Sequence, residues 1–194
     1  MQTNNSKKII LSLCPGTRAM SKNYKENGYF VIPIEIKDGH DVRLLQYIDV
    51  QVYGILAEPP CTHLAGSGAR WWKEKGEEAL LEALQVVDAC LRAVVIYKPK
   101  FWCLENPVGR LSKYLGKPKM YYQPYEYAGY LKNPETDLYT KKTCLWGDFN
   151  IPAKKSMKPL LGSKMHKLPP SKNRSQLRSI TPGGFAYAFF LDNQ

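Results

Sequence analysis

The sequence predicts a three-layer α/β fold built on a doubly wound, mostly parallel sheet. Three observations carry that reading. Short apolar runs rich in strand formers alternate with helical stretches, the pattern of parallel strands joined by crossover helices. One stretch, Arg70 to Tyr97, is long and amphipathic, with Leu80, Leu84, Val87, Leu91 and Val94 spaced by three or four. Polar residues able to carry chemistry stand just past the ends of the apolar runs, where ligands bind in sheets of this kind.

The elements follow in order. Lys8 to Cys14 reads as the first strand, bounded by Pro15-Gly16. Thr17 to Asn27 reads as a helix ended by Gly28, and Tyr29 to Ile36 as a second strand stopping before Asp38-Gly39. Val52 to Ala57 is a third buried run closed by Pro59-Pro60, and the long helix comes next, ended by Pro99. Phe101 to Leu104 is a further strand, broken by Pro107. Gly147 to Arg178 is rich in Pro and Lys with little periodicity and reads as an ordered loop, or as a segment that orders on binding. Thr181-Pro182 reads as an N-cap and first helical residue before a short apolar helix, Phe185 to Leu191.

At 194 residues and 44% hydrophobic content the chain is expected to form a single domain over 1–194 with a substantial core. No apolar stretch is long enough to span a bilayer, and Met1 to Lys8 lacks the apolar region of a secretory signal, so a cytoplasmic protein is expected. Five scattered cysteines (Cys14, Cys61, Cys90, Cys103, Cys144) without a C-x-x-C pair argue against a disulfide framework and a zinc site. The three histidines, His40, His63 and His166, have no metal-ligand spacing, so no metal is expected.

Charge is unevenly placed. Residues 1–97 carry 11 Lys/Arg and 11 Asp/Glu, whereas 98–178 carry 17 against 5. The excess is interleaved with Tyr121, Tyr122, Tyr125, Tyr127, Tyr130 and Tyr139. Lysine and arginine release counterions at phosphates, and aromatic rings stack on exposed bases. Nucleic acid is therefore the expected partner, with the basic Tyr/Pro/Lys-rich segment 111–178 as its binding appendage.

Two motifs point to covalent chemistry. Ala57-Glu58-Pro59-Pro60-Cys61 sets a cysteine in a stiff turn past a strand end, and Leu104-Glu105-Asn106-Pro107 follows, with Glu105 44 residues after Cys61. A thiolate held in a fixed direction is an effective nucleophile. A glutamate closing an apolar strand is partly desolvated, which raises its pKa and suits it to share a proton with a ring nitrogen.

In this order and at this spacing, the motifs resemble those of the DNA cytosine-5 methyltransferases. That family carries a Gly-containing turn after its first strand, an acid ending the second, Pro-Pro-Cys after the fourth and Glu-Asn-Val after the fifth. Here stand Leu13-Cys14-Pro15-Gly16-Thr17, Glu35, Asp41-Val42-Arg43, Pro59-Pro60-Cys61 and Glu105-Asn106-Pro107. The likeness covers roughly residues 8–110, with a looser match at Lys141 to Gly147. It implies a Rossmann-like class I methyltransferase that uses S-adenosylmethionine. Cys61, Glu105, Asn106 and Lys142 would be catalytic. Cys14, Pro15, Gly16, Thr17, Glu35, Ile36, Asp41, Val42 and Pro59 would line the cofactor site, with Gly16 at the methionine part, Glu35 at the ribose hydroxyls and Asp41 at the adenine amine. By the same likeness Cys61 attacks C6 of cytosine while Glu105 pairs with the N3 edge.

The chain departs from the family in three places. Arg18 stands where the family has the second glycine of its first turn. Lys141 and Lys142 replace a pair of arginines, and lysine cannot make the same forked contacts. Only about 30 residues separate Gly147 from Arg178, too few for an independent target-recognition domain, so specificity would come from the basic segment or a partner protein. In this brevity the chain resembles the small enzymes of phages and mobile elements. A methyltransferase acting on RNA or nucleotide cytosine, and a catalytically idle nucleic-acid-binding module, are the alternative readings.

Overall fold

Four apolar runs set the frame: Ile9–Leu13 (β1), Phe30–Ile34 (β2), Val52–Ala57 (β3) and Phe101–Pro107 (β4). In the computed structural model, which describes residues 5–194, they lie parallel in the order β2-β1-β3-β4. Met1–Asn4, which open the polar N-terminus, lie outside the described residues, as does the side chain of His166. Parallel pairing brings Leu13, Ile34, Ala57 and Leu104 to one edge, because Leu13 pairs with both Ile34 and Ala57, and Ala57 with Leu104.

The sheet is completed differently from the expectation. Met120–Tyr122 (β5) and Thr143–Asp148 (β6) extend it to six strands in the order β2-β1-β3-β4-β6-β5. β6 runs antiparallel to β4, from Pro107↔Thr143 to Trp102↔Asp148, and β5 antiparallel to β6. The sheet is therefore mixed, with three parallel and two antiparallel pairings. After β4 the chain passes over the neighbouring position to lay down β5 in the same direction as β4, and β6 then returns between them, antiparallel to both. Part of the basic 111–178 segment is thereby built into the sheet.

Helices cover both faces. Ala19–Glu26 (α1) links β1 to β2, and Trp72–Tyr97 (α2) links β3 to β4. Between β2 and β3 the connection is two short 3-10 turns, Ile36–Asp38 and Val42–Leu44. The long helix expected from residue 70 is preceded by a 3-10 turn over Gly66–Trp71 and interrupted at Gly76 (φ 71°, ψ −173°). Short helices follow at Ser112–Leu115 (α3), Lys164–Lys167 (α4) and Arg174–Ser179 (α5), and Gly183–Asp192 (α6) comes last.

Two local expectations are corrected. β4 continues through Pro107, because a proline at the last residue of a strand gives up little of the ladder. Thr181 does not cap α6; its hydroxyl is turned to Glu58, and Pro182 precedes the first helical residue.

Each face has its own core. One is aromatic: Tyr24 of α1, Phe101, Tyr122 and, from α6, Phe185 and Phe189 are buried together. Tyr122 and Phe185 stack at 3.7 Å between centroids. Burying one such ring contributes about 1.5–3 kcal/mol. The other core is aliphatic, where Val87, Cys90 and Ala93 of α2 cover Leu13, Ile55 and Leu104. This packing removes Tyr122, Tyr127 and Tyr139 from any surface that could stack on bases, since all three are buried; Tyr121 stays exposed.

Candidate active site at the carboxyl edge of the sheet

The two motifs that stand far apart in sequence are stitched together in space. Asn106 Nδ2 donates to the Pro59 carbonyl at 3.0 Å, across buried ground. Gly66 N donates to Val108 O at 2.8 Å, and Arg110 N to Leu64 O at 2.9 Å. Arg110 Nε adds a bond to His63 O at 2.7 Å, its guanidinium lying 4.7 Å from the centroid of the Trp72 ring. The approach is so close that a Cβ on Gly109 would sit 2.0 Å from Leu64 O, which is why a glycine stands there. Cys61 itself is half-buried, its carbonyl accepting from Leu64 N and Ala65 N in a tight turn.

Two carboxyl groups meet at this edge. Glu105 is 8% exposed and its Oε1 has no hydrogen-bond partner. Glu58, next after β3, keeps the ladder through Glu58 N–H to Leu13 O at 2.9 Å. Its Oε2 accepts from the Thr181 hydroxyl at 2.7 Å, while Oε1 is shut off from solvent with no partner. Burial raises the Glu105 carboxyl, against the pull of the Lys141 ammonium. Burial, and after it the charge of Glu105, push Glu58 up to about 8, against the Thr181 hydrogen bond and Lys141. The Cys61 thiol is also raised, by burial first and then by Glu105, with Lys141 and Arg178 opposing.

The cation facing the acids is Lys141. Its Nζ donates to Ile180 O at 3.3 Å, and its backbone N–H to Gln123 Oε1 at 2.7 Å. Lys142 points elsewhere, with Nζ 4.6 Å from the Tyr121 ring centroid and its charge bearing on Cys144. Arg178 Nη2 lies 3.2 Å from Ser67 Oγ, on the Cys61 side. Glu58, Arg178 and Thr181 thus join the site beyond the residues given a role from sequence, and of the lysine pair it is Lys141 that faces the acids. Glu58 carries the same signal as Glu105, an acid closing an apolar strand; nothing in the sequence marks Thr181 or Arg178.

The β1 and β2 ends form the other half of the edge. Cys14 and Arg18 adopt left-handed backbone (φ 52° and 61°), flanking Gly16 at φ 49°. Space above Gly16 is open, with nothing within 4 Å of a would-be Cβ. Gly16 N donates to Glu35 Oε2 at 2.9 Å, which fixes a buried carboxylate across the turn, and Lys37 N reaches Oε1 at 3.3 Å. Ile36 beside it is 62% exposed, and Val42 is buried. Both oxygens of Asp41 face Arg43, whose backbone N–H, Nε and Nη2 donate to them at 2.6–3.0 Å. Pro15 is buried, Pro59 is held by Asn106, and Thr17 lies beside Arg18, which pairs with Asp38.

Among the described residues no cluster of His, Cys, Asp and Glu could hold a metal ion, and no helix is long and apolar enough to cross a membrane. No family model matches the sequence, and no curated protein matches it. Among solved structures, the fold is similar to that of a candidate DNA modification methyltransferase encoded within a prophage of E. coli. The two are 16% identical with a TM-score of 0.54, the match covering 84% of this chain and 56% of the other. This chain therefore spans little more than half the length of that protein. The likeness shows a mixed α/β fold similar to that of a methyltransferase.

Proposed function

We propose that this protein transfers a methyl group from S-adenosylmethionine to C5 of cytosine in DNA through a covalent adduct of Cys61 at C6. The observation that carries this reading is the stitching of the Pro59-Pro60-Cys61 turn to Glu105-Asn106, which sets a nucleophile and a raised acid on one sheet edge. The chemistry needs that pair. The Cys61 sulfur bonds to C6, ring electrons move to N3, and N3 takes a proton from Glu105, leaving C5 nucleophilic. After methylation solvent water takes the C5 proton, the C5–H electrons re-form the C5–C6 double bond and expel the Cys61 thiolate, and N3 returns its proton to Glu105. Asn106 holds the Pro-Pro turn, and so the direction of the thiol. Lys141 supplies positive charge that favours the thiolate, with Lys142 at the rim beside Tyr121.

The β1–β2 end fits the cofactor. Open space over Gly16 admits the methionine part against Cys14, Pro15 and Thr17; Glu35 retains acceptor capacity for ribose hydroxyls; and exposed Ile36 offers apolar surface for a purine ring. Asp41 reaches the purine amine only in competition with Arg43. When bound, the cofactor supplies an electrophilic methyl group. In a duplex the target base must leave the stack to reach Cys61.

The test uses S-adenosylmethionine labelled in its methyl group, cytosine-rich duplex DNA, and wild-type or Cys61→Ala protein. Labelled 5-methylcytosine from the wild type alone is expected, with activity of the variant lower by about 10³-fold or more. Label in RNA or a nucleotide but not in DNA moves the reaction to that acceptor, and label in none sinks methyl transfer.

A further inference from the structure

Glu58 and Glu105 stand abreast. Each follows the paired residues Ala57 and Leu104 on neighbouring parallel strands, whose backbones lie about 4.8 Å apart. Strand alternation turns both toward the aromatic core, because Leu56 and Cys103, two residues earlier, belong to it. Thr181, just before α6, reaches Glu58 on that same face. What remains unsatisfied there is specific: Glu58 Oε1 and Glu105 Oε1 are both buried and both lack a hydrogen-bond donor. Lys141 Nζ gives one of its three donors to Ile180 O and reaches neither Oε1, and the buried Ser12 hydroxyl has no partner of its own. Two ionised carboxylates can only accept and would leave both oxygens stranded side by side, whereas one proton supplies the missing donor.

We propose that Glu58 and Glu105 form one carboxyl pair carrying a single shared proton around neutral pH, with Glu58 the positioning residue that keeps Glu105 protonated for the pyrimidine ring. The role at the ring rests on the covalent reading above; the shared proton rests on the geometry alone. The proton passes from Glu105 to ring N3 as the C6–S bond forms and returns when that bond breaks, so the pair ends each cycle as it began. Every charged or titratable neighbour bears on the pair: Lys141 lowers both acids, Glu35 raises Glu58, and Cys61, Cys103, Cys144, Tyr122 and Tyr139 each feel Glu105. Thr181, donating to Glu58 Oε2, tunes the pair from the C-terminal side.

The test reads the proton directly. The carbonyl stretch of a protonated carboxylic acid is followed by infrared difference spectroscopy on the full chain, from about pH 5 to about pH 9, in wild type, Glu58→Gln, Glu105→Gln and Thr181→Val. The wild type is expected to hold a protonated-acid band at neutral pH that titrates away near 8. In either amide variant the remaining acid loses its band at a pH lower by about one unit or more, because it no longer faces a second carboxyl. Thr181→Val moves the midpoint the opposite way, since it removes a donor that favours the ionised form, and misfolding does not produce shifts of opposite sign. Absence of the band at neutral pH overturns the proposal, as does a midpoint unchanged in either amide variant. The alkaline limb of kcat for methyl transfer should follow the infrared midpoints, Glu58→Gln losing about tenfold at the alkaline end with the KM for S-adenosylmethionine unchanged. Shifted bands with no methyl transfer to any pyrimidine acceptor support the shared proton and overturn its assignment to the ring.

Discussion

At the scale of single residues, the site is governed by how badly water reaches it. Glu58 makes the point with a stability consequence of its own. Its carboxyl stands near 8 in the fold against an ordinary 4.5, so between those values the unfolded chain gives up a proton that the folded chain keeps. Glu58 alone therefore favours folding most at low pH, and its contribution drains away as pH rises through that window. Glu58→Gln, which has nothing to ionise, should match the wild type below about pH 4 and exceed it at about pH 8 by a few kcal/mol. Thermal unfolding at both pH values checks this, and a variant less stable than wild type at the higher pH refutes it. Cys61 shares the cause: burial first, then the Glu105 charge, raises its thiol, while the Lys141 and Arg178 cations pull toward the thiolate.

Among elements, the decisive one is the pair of segments 59–66 and 106–110, which behave as a single clamp. Gly109 is its hinge of closest approach, so Gly109→Ala must push Leu64 and Gly66 away. We expect a loss of about 2–4 kcal/mol in stability together with a collapse of methyl transfer, read by chemical denaturation and the labelled-methyl assay. The clamp also explains what sequence alone could locate. Cys61, Glu105 and Asn106 are legible because prolines and glycines stop each apolar run abruptly, and parallel strands carry every such stop to one edge. β5 is not legible, since three residues, Met120–Tyr122, show no period. Nor is the antiparallel entry of β6, which depends on the irregular path from 111 to 142 and not on any local preference. Tyrosines mislead in the same way: Tyr122 and Tyr127 look like a stacking surface in sequence, yet Phe185 of α6 draws both into the core. Thr181 reads as a helix cap from its Pro182 neighbour, but a buried carboxyl needing a donor outcompetes the helix end.

Over the whole molecule, charge is the property that sets partners. The net charge of +11 rests on residues 98–178, part of it woven into the sheet and part along the irregular stretch from 149 to 178, where Lys158 and Lys172 are exposed. Affinity for duplex DNA should fall steeply with salt, and Lys158→Gln with Lys172→Gln should flatten the log–log salt slope by about one unit per lysine engaged at a phosphate. A slope unaltered by both would place the nucleic acid on another face. Sequence preference should hardly change in the same variants, because phosphate contacts carry no base identity.

The bond from Thr181 to Glu58 spans 123 residues, and the helix that follows Thr181, α6, packs with α1 over the aromatic face of the sheet. Synthesis reaches Glu58 long before Thr181, so a growing chain exposes that acid before it can be walled in. Until residues 181 to 192 dock, Glu58 lacks its Thr181 donor and the cover of α6, and a carboxyl open to water ionises at neutral pH. Helix α6 is thus a timer: the carboxyl at residue 58 acquires its dry setting only once that helix has docked.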